Sequence, residues 1–247
     1  MSEPEPHRAH ETRRYYDEFA GRYDDQRGGA VTGGYHDLID DLEMEFLERF
    51  ARGKDVLEVG CGTGLLLERI AGFARSARGV DLSPRMLERA RDRGLDVSEA
   101  SATSLPFSDD AFDVACSFKV LAHVPDIRGA LAEMARVTRP GGVIVAEFYN
   151  PYSLRGLAKR LGPAGAISKH TREDAVYTRF DSPREVRAML PECLRIVARR
   201  GVRIVTPAAR ALAVPVLGPM LRSIEWRLCD SPLAAFGGFW IAALKKS

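Results

Sequence analysis

Gly60, Gly62 and Gly64 stand at alternate positions directly behind Val56-Leu57-Glu58-Val59. Glycines in such a run let the chain turn tightly and let a ligand lie against bare backbone. Asp81 follows roughly 20 residues beyond the first glycine, the distance at which an acidic residue can accept hydrogen bonds from both hydroxyls of a ribose. A carboxylate suits that task because it accepts two bonds and donates none. His123, with an ordinary pKa near 6.5, can take a proton from a hydroxyl or an amine. Glycine loop, acidic residue and histidine together describe a nucleoside-binding cleft beside a place where a nucleophile could lose a proton.

The glycine spacing decides between cofactors. The dinucleotide fingerprint reads G-x-G-x-x-G, whereas residues 58–64 read E-x-G-x-G-x-G. This pattern resembles motif I of the class I S-adenosylmethionine-dependent methyltransferases. Their cofactor has no pyrophosphate, so the loop receives a ribose and an amino-acid tail. Further segments are similar to the same family, in particular to its small-molecule and quinone-biosynthesis members: Tyr15-Tyr16-Asp17-Glu18-Phe19-Ala20-Gly21-Arg22-Tyr23-Asp24, Leu105-Pro106-Phe107, Val120-Leu121-Ala122-His123-Val124 and Arg139-Pro140-Gly141-Gly142. The resemblance covers residues of roughly 15 to 150.

The resemblance implies a cofactor site made of Tyr23, Glu58, Gly60, Cys61, Gly62, Asp81, Leu82, Met86, Ser101, Ala102, Ser117 and Phe118. Tyr23 would cover the cofactor, and Ala102 would offer its backbone N–H to adenine. Two positions depart from the family. Ser101 stands where it has an acidic residue that binds the adenine amino group, and a hydroxyl there forgoes on the order of 1 kcal/mol. Ala122 replaces a glutamate. The tip after the fourth strand faces the transferable methyl group. His123 there is either a base or, as often in the family, a residue packed under the loop and bonded to backbone. Lys119 either pairs with an acidic substrate or points to solvent. Tyr149 and Asn150, after the fifth strand, are expected to face the acceptor.

These residues need a scaffold that brings strand tips together. Strand patterns fall at Asp55–Val59, near Ala77–Val80 and Asp96–Glu99, and at Phe112–Ser117 and Val143–Phe148. Helical patterns alternate with them: Thr63 to about Gly72, Pro84 to Arg93, and Asp126 to Arg139, the last stopped by Pro140-Gly141-Gly142. Strand–helix alternation argues for a parallel α/β sheet, in which ligands sit at the carboxyl ends of the strands. The family implies a Rossmann-like, seven-stranded, mostly parallel sheet in the order 3-2-1-4-5-7-6, with strand seven antiparallel.

Outside this half, residues 1–10 read as a disordered lead and 11–52 as an N-terminal helical lid, with a helix from Glu11 and another over His36–Phe50. Gly28, Gly29, Gly33 and Gly34 would hinge it. Residues 53–150 form the cofactor-binding half. Residues 151–247 form the substrate half of the same domain, with insertions at about 151–180 and 206–232. The first insertion carries Arg155, Lys159, Arg160, Lys169, His170 and Arg172, a basic lid for an anionic substrate or a solvated helix face. Ser182-Pro183-Arg184-Glu185 opens a helix to about Leu190. Leu194–Val197 and Val202–Val205 read as two strands, and Gly238–Leu244 as the last. The apolar stretch 206–232 is open to three readings: a substrate tunnel, a dimer surface, or a patch for peripheral membrane contact.

Composition narrows the class. The 247 residues are 45% hydrophobic and 28% charged with a net charge of +2, a globular balance that gives no reason to expect nucleic acid. The four cysteines, Cys61, Cys116, Cys193 and Cys229, are scattered without metal spacing, so no metal is implied and reduced thiols in the cytoplasm are expected. No apolar run reaches the ~18 residues of a spanning helix. The sequence therefore reads as a monomeric or homodimeric enzyme that moves a methyl group from S-adenosyl-L-methionine to an O, N or C nucleophile of a small acceptor. S-adenosyl-L-homocysteine would be the product. A non-catalytic cofactor-binding scaffold and a nicotinamide oxidoreductase are the alternatives.

Overall fold

The computed structural model describes residues 5–27, 34–153, 177–206 and 209–247. Its centre is one seven-stranded sheet in the order β3-β2-β1-β4-β5-β7-β6. The strands are β1 (Asp55–Val59), β2 (Ser76–Asp81), β3 (Asp96–Glu99), β4 (Phe112–Ser117), β5 (Thr138–Tyr149), β6 (Leu194–Val202) and β7 (Phe239–Lys246). Strand β7 runs antiparallel to both neighbours, as the family pattern implies.

The helices are α1 (Glu5–Gln26), α2 (Tyr35–Ala51), α3 (Leu65–Ala71), α4 (Pro84–Asp92), α5 (Ile127–Val137), α6 (Pro183–Met189) and α7 (Leu217–Leu228). They cover both faces because strand side chains alternate. On β1, Leu57 and Val59 join a core with Leu131 and Met134 of α5 and Val186 of α6. Val56 turns to the opposite core, with Leu42 and Phe46 of α2 and Ile70 of α3. Each fully buried side chain of this size contributes about 1.5–3 kcal/mol.

Local chemistry sets the helix starts. Ser83 accepts from the Met86 amide and Pro84 occupies the first turn of α4. Ser182 and Glu185 form the expected capping box of α6.

Three expectations are corrected. Helix α1 begins at Glu5, so the stretch expected as a disordered lead is helical from there. Helix α5 ends at Val137, before Pro-Gly-Gly, and the chain enters β5 at once. Thr138 donates to the Met134 carbonyl at 2.7 Å while pairing with Phe112 of β4. The proline is tolerated because the β4–β5 register shifts there.

The two strands expected over Leu194–Val205 are one strand and a turn. Arg200, which reads as a break, is buried inside β6, where it donates to the Leu42 carbonyl at 2.8 Å and pairs with Asp230. The amides of Ile204, Val205 and Thr206 donate to the buried Glu225 carboxylate of α7 and not to a neighbouring strand. Within the apolar stretch expected at 206–232, the described residues form a 3-10 turn (Ala209–Ala213) and α7, with Val214, Val216, Leu217 and Met220 exposed. No helix among the described residues is long and apolar enough to cross a membrane.

Candidate functional site

The carboxyl ends of β1, β2 and β4 meet at the glycine loop. The Gly60 and Cys61 amides both donate to the Val80 carbonyl, at 2.7 and 2.9 Å, which ties the loop to the end of β2. Gly60 has φ +82°, and a Cβ there would lie 2.2 Å from the Val120 side chain. Gly62 also has positive φ, but a Cβ on it would meet nothing within 4 Å. Its backbone is therefore bare and open to a ligand.

Asp81 braces this loop. Its Oδ2 accepts from the Gly62 amide at 2.8 Å and its Oδ1 from the Ser83 amide at 2.9 Å. Burial raises its pKa, against the opposing pull of these backbone bonds. The carboxylate still has acceptor capacity beyond these amides. Glu58, on the last turn of β1, is buried, its Oε2 has no hydrogen-bond partner, and burial holds its carboxyl well above the usual range.

Helix α1 is fastened across these tips. Asp17 accepts from the Ser83 hydroxyl at 2.6 Å, and Asp24 accepts from the Thr63 hydroxyl at 2.7 Å and from Arg93 at 2.8 Å. The helix thereby brings Tyr16, Phe19 and Tyr23 over the strand ends. The Phe19 and Tyr23 rings meet edge-on at 5.6 Å. Tyr23 feels the charges of Arg27, Lys119, Asp40 and Asp81, and burial raises its hydroxyl pKa.

The other expected cofactor residues divide. Ser101 sits in a tight turn beside the end of β2, its hydroxyl 2.8 Å from that of Thr103, with Ala102 half-buried next to it. Leu82 is half-buried. By contrast, Ser117 donates its hydroxyl to the Val59 carbonyl at 2.8 Å, so its side chain locks β1 to β4. Phe118 and Met86 are buried, Phe118 in the core beneath α2. Cys61 is buried, and burial pushes its thiol pKa up. These four offer a cofactor backbone or packing only.

Aromatic rings gather beyond the ends of β4 and β5. His123 lies edge-on to Tyr149 at 5.8 Å and to Tyr16 at 6.4 Å, and Tyr149 continues to Phe180 at 6.0 Å. The His123 Nδ1 is 2.9 Å from the Tyr177 carbonyl. A carbonyl can only accept, so Nδ1 carries the proton and Nε2 the lone pair. Burial lowers the pKa of the ring and keeps it neutral.

Asn150 is not placed for an acceptor. Its amide donates to the Ala235 and Gly237 carbonyls at 2.8 and 2.9 Å, and its Oδ1 accepts from the Tyr152 amide. It holds the end of β5 to the turn before β7. The basic residues 155–172 and Gly28, Gly29 and Gly33 lie outside the described residues.

Sequence reasoning missed a buried charge cluster behind the cleft. Lys119, at φ +60°, places its ammonium 2.6 Å from Glu43 Oε2 and 3.1 Å from Asp40 Oδ1, so it faces neither solvent nor substrate. Arg27, just past α1, forks onto Asp40 at 2.7 Å. Glu147 of β5 accepts from the Lys119 amide at 3.2 Å. The available signal was on α2, where Asp40 and Glu43 sit one helical turn apart among Ile39, Leu42 and Met44.

Comparison with known proteins agrees with this geometry. Residues 57–146 match the family described as "Methyltransferase domain". The chain is 36% identical over 152 residues to an uncharacterized methyltransferase of Mycobacterium sp. (strain JLS), covering 59% of this chain and 60% of that one. It is 32% identical over 163 residues to a ubiquinone biosynthesis O-methyltransferase of Thiobacillus denitrificans, covering 62% of this chain and 70% of the relative. The match to the mycobacterial relative thus spans less than two thirds of its length. The fold superposes on a S-adenosylmethionine-dependent methyltransferase of Thermotoga maritima, described as a possible histamine N-methyltransferase. The TM-score is 0.70 at 20% identity, over 95% of this chain and 99% of that one. Motif, strand order and relatives coincide, and the chain belongs to the class I S-adenosylmethionine-dependent methyltransferase family.

Proposed function

We propose that this chain transfers a methyl group from S-adenosyl-L-methionine to an O, N or C nucleophile on a small lipophilic acceptor. The observation that carries the reading is the junction of two half-sites: the Gly60–Gly62 loop braced by Asp81, and the aromatic recess of Tyr16, His123 and Tyr149. The cofactor fits the residues present. Gly62 offers open backbone, Asp81 keeps acceptor capacity, and Glu58 Oε2 is a buried acceptor without a donor.

When bound, the cofactor supplies a methyl group on a positively charged sulfur. The chain's part is alignment: an in-line displacement gains most from holding nucleophile and methyl in reacting geometry. Tyr16, Tyr23 and Phe19 on α1 would shield the reacting atoms from water, and the ring walls favour a planar, apolar acceptor. His123 would receive the nucleophile's proton at Nε2, with its tautomer held by the Nδ1–H bond to Tyr177. Calorimetric titration with S-adenosylmethionine and S-adenosylhomocysteine tests the reading. Affinities on the order of micromolar are expected for both; binding of neither would remove it.

The role of His123 has its own test. His123→Asn keeps a donor for the Tyr177 carbonyl and removes the basic nitrogen. Once an acceptor is in hand, kcat is expected to fall by about 10²–10⁴-fold, with cofactor affinity and melting temperature nearly unchanged. In the parent protein kcat should rise with pH through a value below the ordinary histidine pKa and then stay flat, because burial lowers the folded pKa and the base must be unprotonated. An unaltered kcat in the variant would leave His123 a purely structural residue.

A further inference from the structure

The buried groups around the cleft do not balance in charge. From α1 and its end come Tyr16, Tyr23 and Arg27; from α2, His36, Asp40 and Glu43; from β1, Glu58; from the loop, Cys61; from β2, Asp81; from β4 and its end, Cys116 and Lys119; from β5, Glu147 and Tyr149. Five are carboxyls and only Arg27 and Lys119 are lasting cations. Asp40 is satisfied by both cations, and Asp81 by backbone amides. Glu43, Glu58 and Glu147 are each buried, and each has one oxygen without a donor: Glu43 Oε1, Glu58 Oε2 and Glu147 Oε2. Buried polar atoms are nearly always paired, so these three acceptors, with the unpartnered Arg27 Nε beside them, call for an explanation.

A shared proton accounts for the Glu43 and Glu147 oxygens. The Glu43 and Glu147 carboxyls lie within reach of one another. Two ionised carboxylates repel, so the contact forms only when one keeps its proton. Burial raises Glu43 and holds Glu58 and Glu147 well above the usual range, in the same direction. A carboxyl proton shared within the cluster is one that a third cation in the cleft would make unnecessary.

Resting on the cofactor reading above, we propose that the cleft discriminates by charge: binding of the sulfonium cofactor displaces a proton from the Glu43–Glu58–Glu147 carboxyls to solvent, whereas binding of its neutral thioether product does not. The balance is simple. Both ligands carry the same zwitterionic amino-acid tail and differ by one methyl group and one positive charge. A carboxyl O–H bond breaks, the proton passes to buffer, and the negative charge left in the cluster would offset the sulfonium. After methyl transfer the sulfur is neutral, the carboxyl takes a proton back, and the attraction that held the cofactor is gone. The carboxyl cluster thus favours release of product over release of unreacted cofactor.

The test is proton counting. Each ligand is titrated calorimetrically at pH 7 in buffers of different ionisation heat, such as phosphate and Tris. S-adenosylmethionine should release roughly one half to one proton more than S-adenosylhomocysteine. Its affinity relative to the product should rise with pH, up to about tenfold per pH unit. Glu147→Gln and Glu43→Gln, which mimic the protonated carboxyl in shape, are made separately, and the excess should shrink in at least one of them. Equal proton counts for the two ligands, or an excess unchanged in both variants, would overturn the proposal. Binding of neither ligand to the parent chain would instead remove the cofactor reading beneath it.

Discussion

Asp81→Ala is expected to weaken S-adenosylmethionine binding by at least ~10²-fold, measured by the same calorimetric titration, with a smaller loss of stability. Two separate effects combine. The first is direct: the ribose loses a charged acceptor, and each hydrogen bond to a charged group is worth about 1.5–3 kcal/mol. Two such bonds give a factor of about 10²–10⁴ in affinity. The second acts through the loop. The Gly62 and Ser83 amides both end on the Asp81 carboxylate, and alanine leaves them without it. That costs roughly 1–3 kcal/mol of stability where water does not replace the acceptor, and it loosens the backbone on which the cofactor lies. Asp81→Asn separates the two. Its single amide oxygen can still accept from Gly62 or Ser83, so it should melt closer to the parent protein than the alanine variant while still binding the cofactor poorly. Unchanged affinity in both variants would sink the assignment of Asp81 to the ribose.

The glycine corner between β1 and β2 was legible in the sequence because its geometry is local. Gly60 and Gly62 are demanded by backbone angles that only a few residues adopt, and Asp81 stands at the end of the next strand by the regular length of a strand–helix–strand unit. Strand order followed from the family pattern and not from any single residue. What escaped reading depends on pairs far apart in the chain. Asn150 looks like a free hydrogen-bonding group until Ala235 and Gly237 come to meet it from before β7. Arg200 looks like a strand break until Asp230 and the Leu42 carbonyl receive it in the interior. Ser117 sits at the right strand tip, yet its hydroxyl turns to Val59 on the neighbouring strand. In each case the partner that decides what the side chain holds was invisible until the sheet closed.

Lys119 is the extreme case of such a partner, and its removal is the other large effect expected. Lys119→Met should destabilise the protein by about 3–5 kcal/mol at neutral pH, the usual result of taking one member from a buried ion pair. The backbone already shows how strongly the site demands this residue: Lys119 is held at φ +60°, a conformation that costs a side-chain-bearing residue about 1–2 kcal/mol. The attraction of Glu43, Asp40 and Glu147 also raises its folded pKa above the ordinary lysine value, against the pull of burial. A lysine raised in the folded state contributes stability that is complete below its unfolded pKa and is lost only as pH rises through the folded one, so the contribution is intact at neutral pH. In the variant the burden passes to the carboxyls. Without the ammonium, Glu43 and Asp40 have folded pKa values pushed upward. Stability then falls as pH rises from about 4 through those values, because the folded state holds more protons than the unfolded one over that window. The deficit relative to the parent protein should therefore be larger at pH 8 than at pH 5.5 in urea denaturation. Adding Glu43→Gln to Lys119→Met should recover a substantial part of it, since the second change removes the charge that the first left unpaired. A Lys119→Met protein within about 0.5 kcal/mol of the parent at pH 8 would show that water already screens the cluster, and the cofactor cleft would then lack the dry, acid-rich wall that makes charge discrimination there effective.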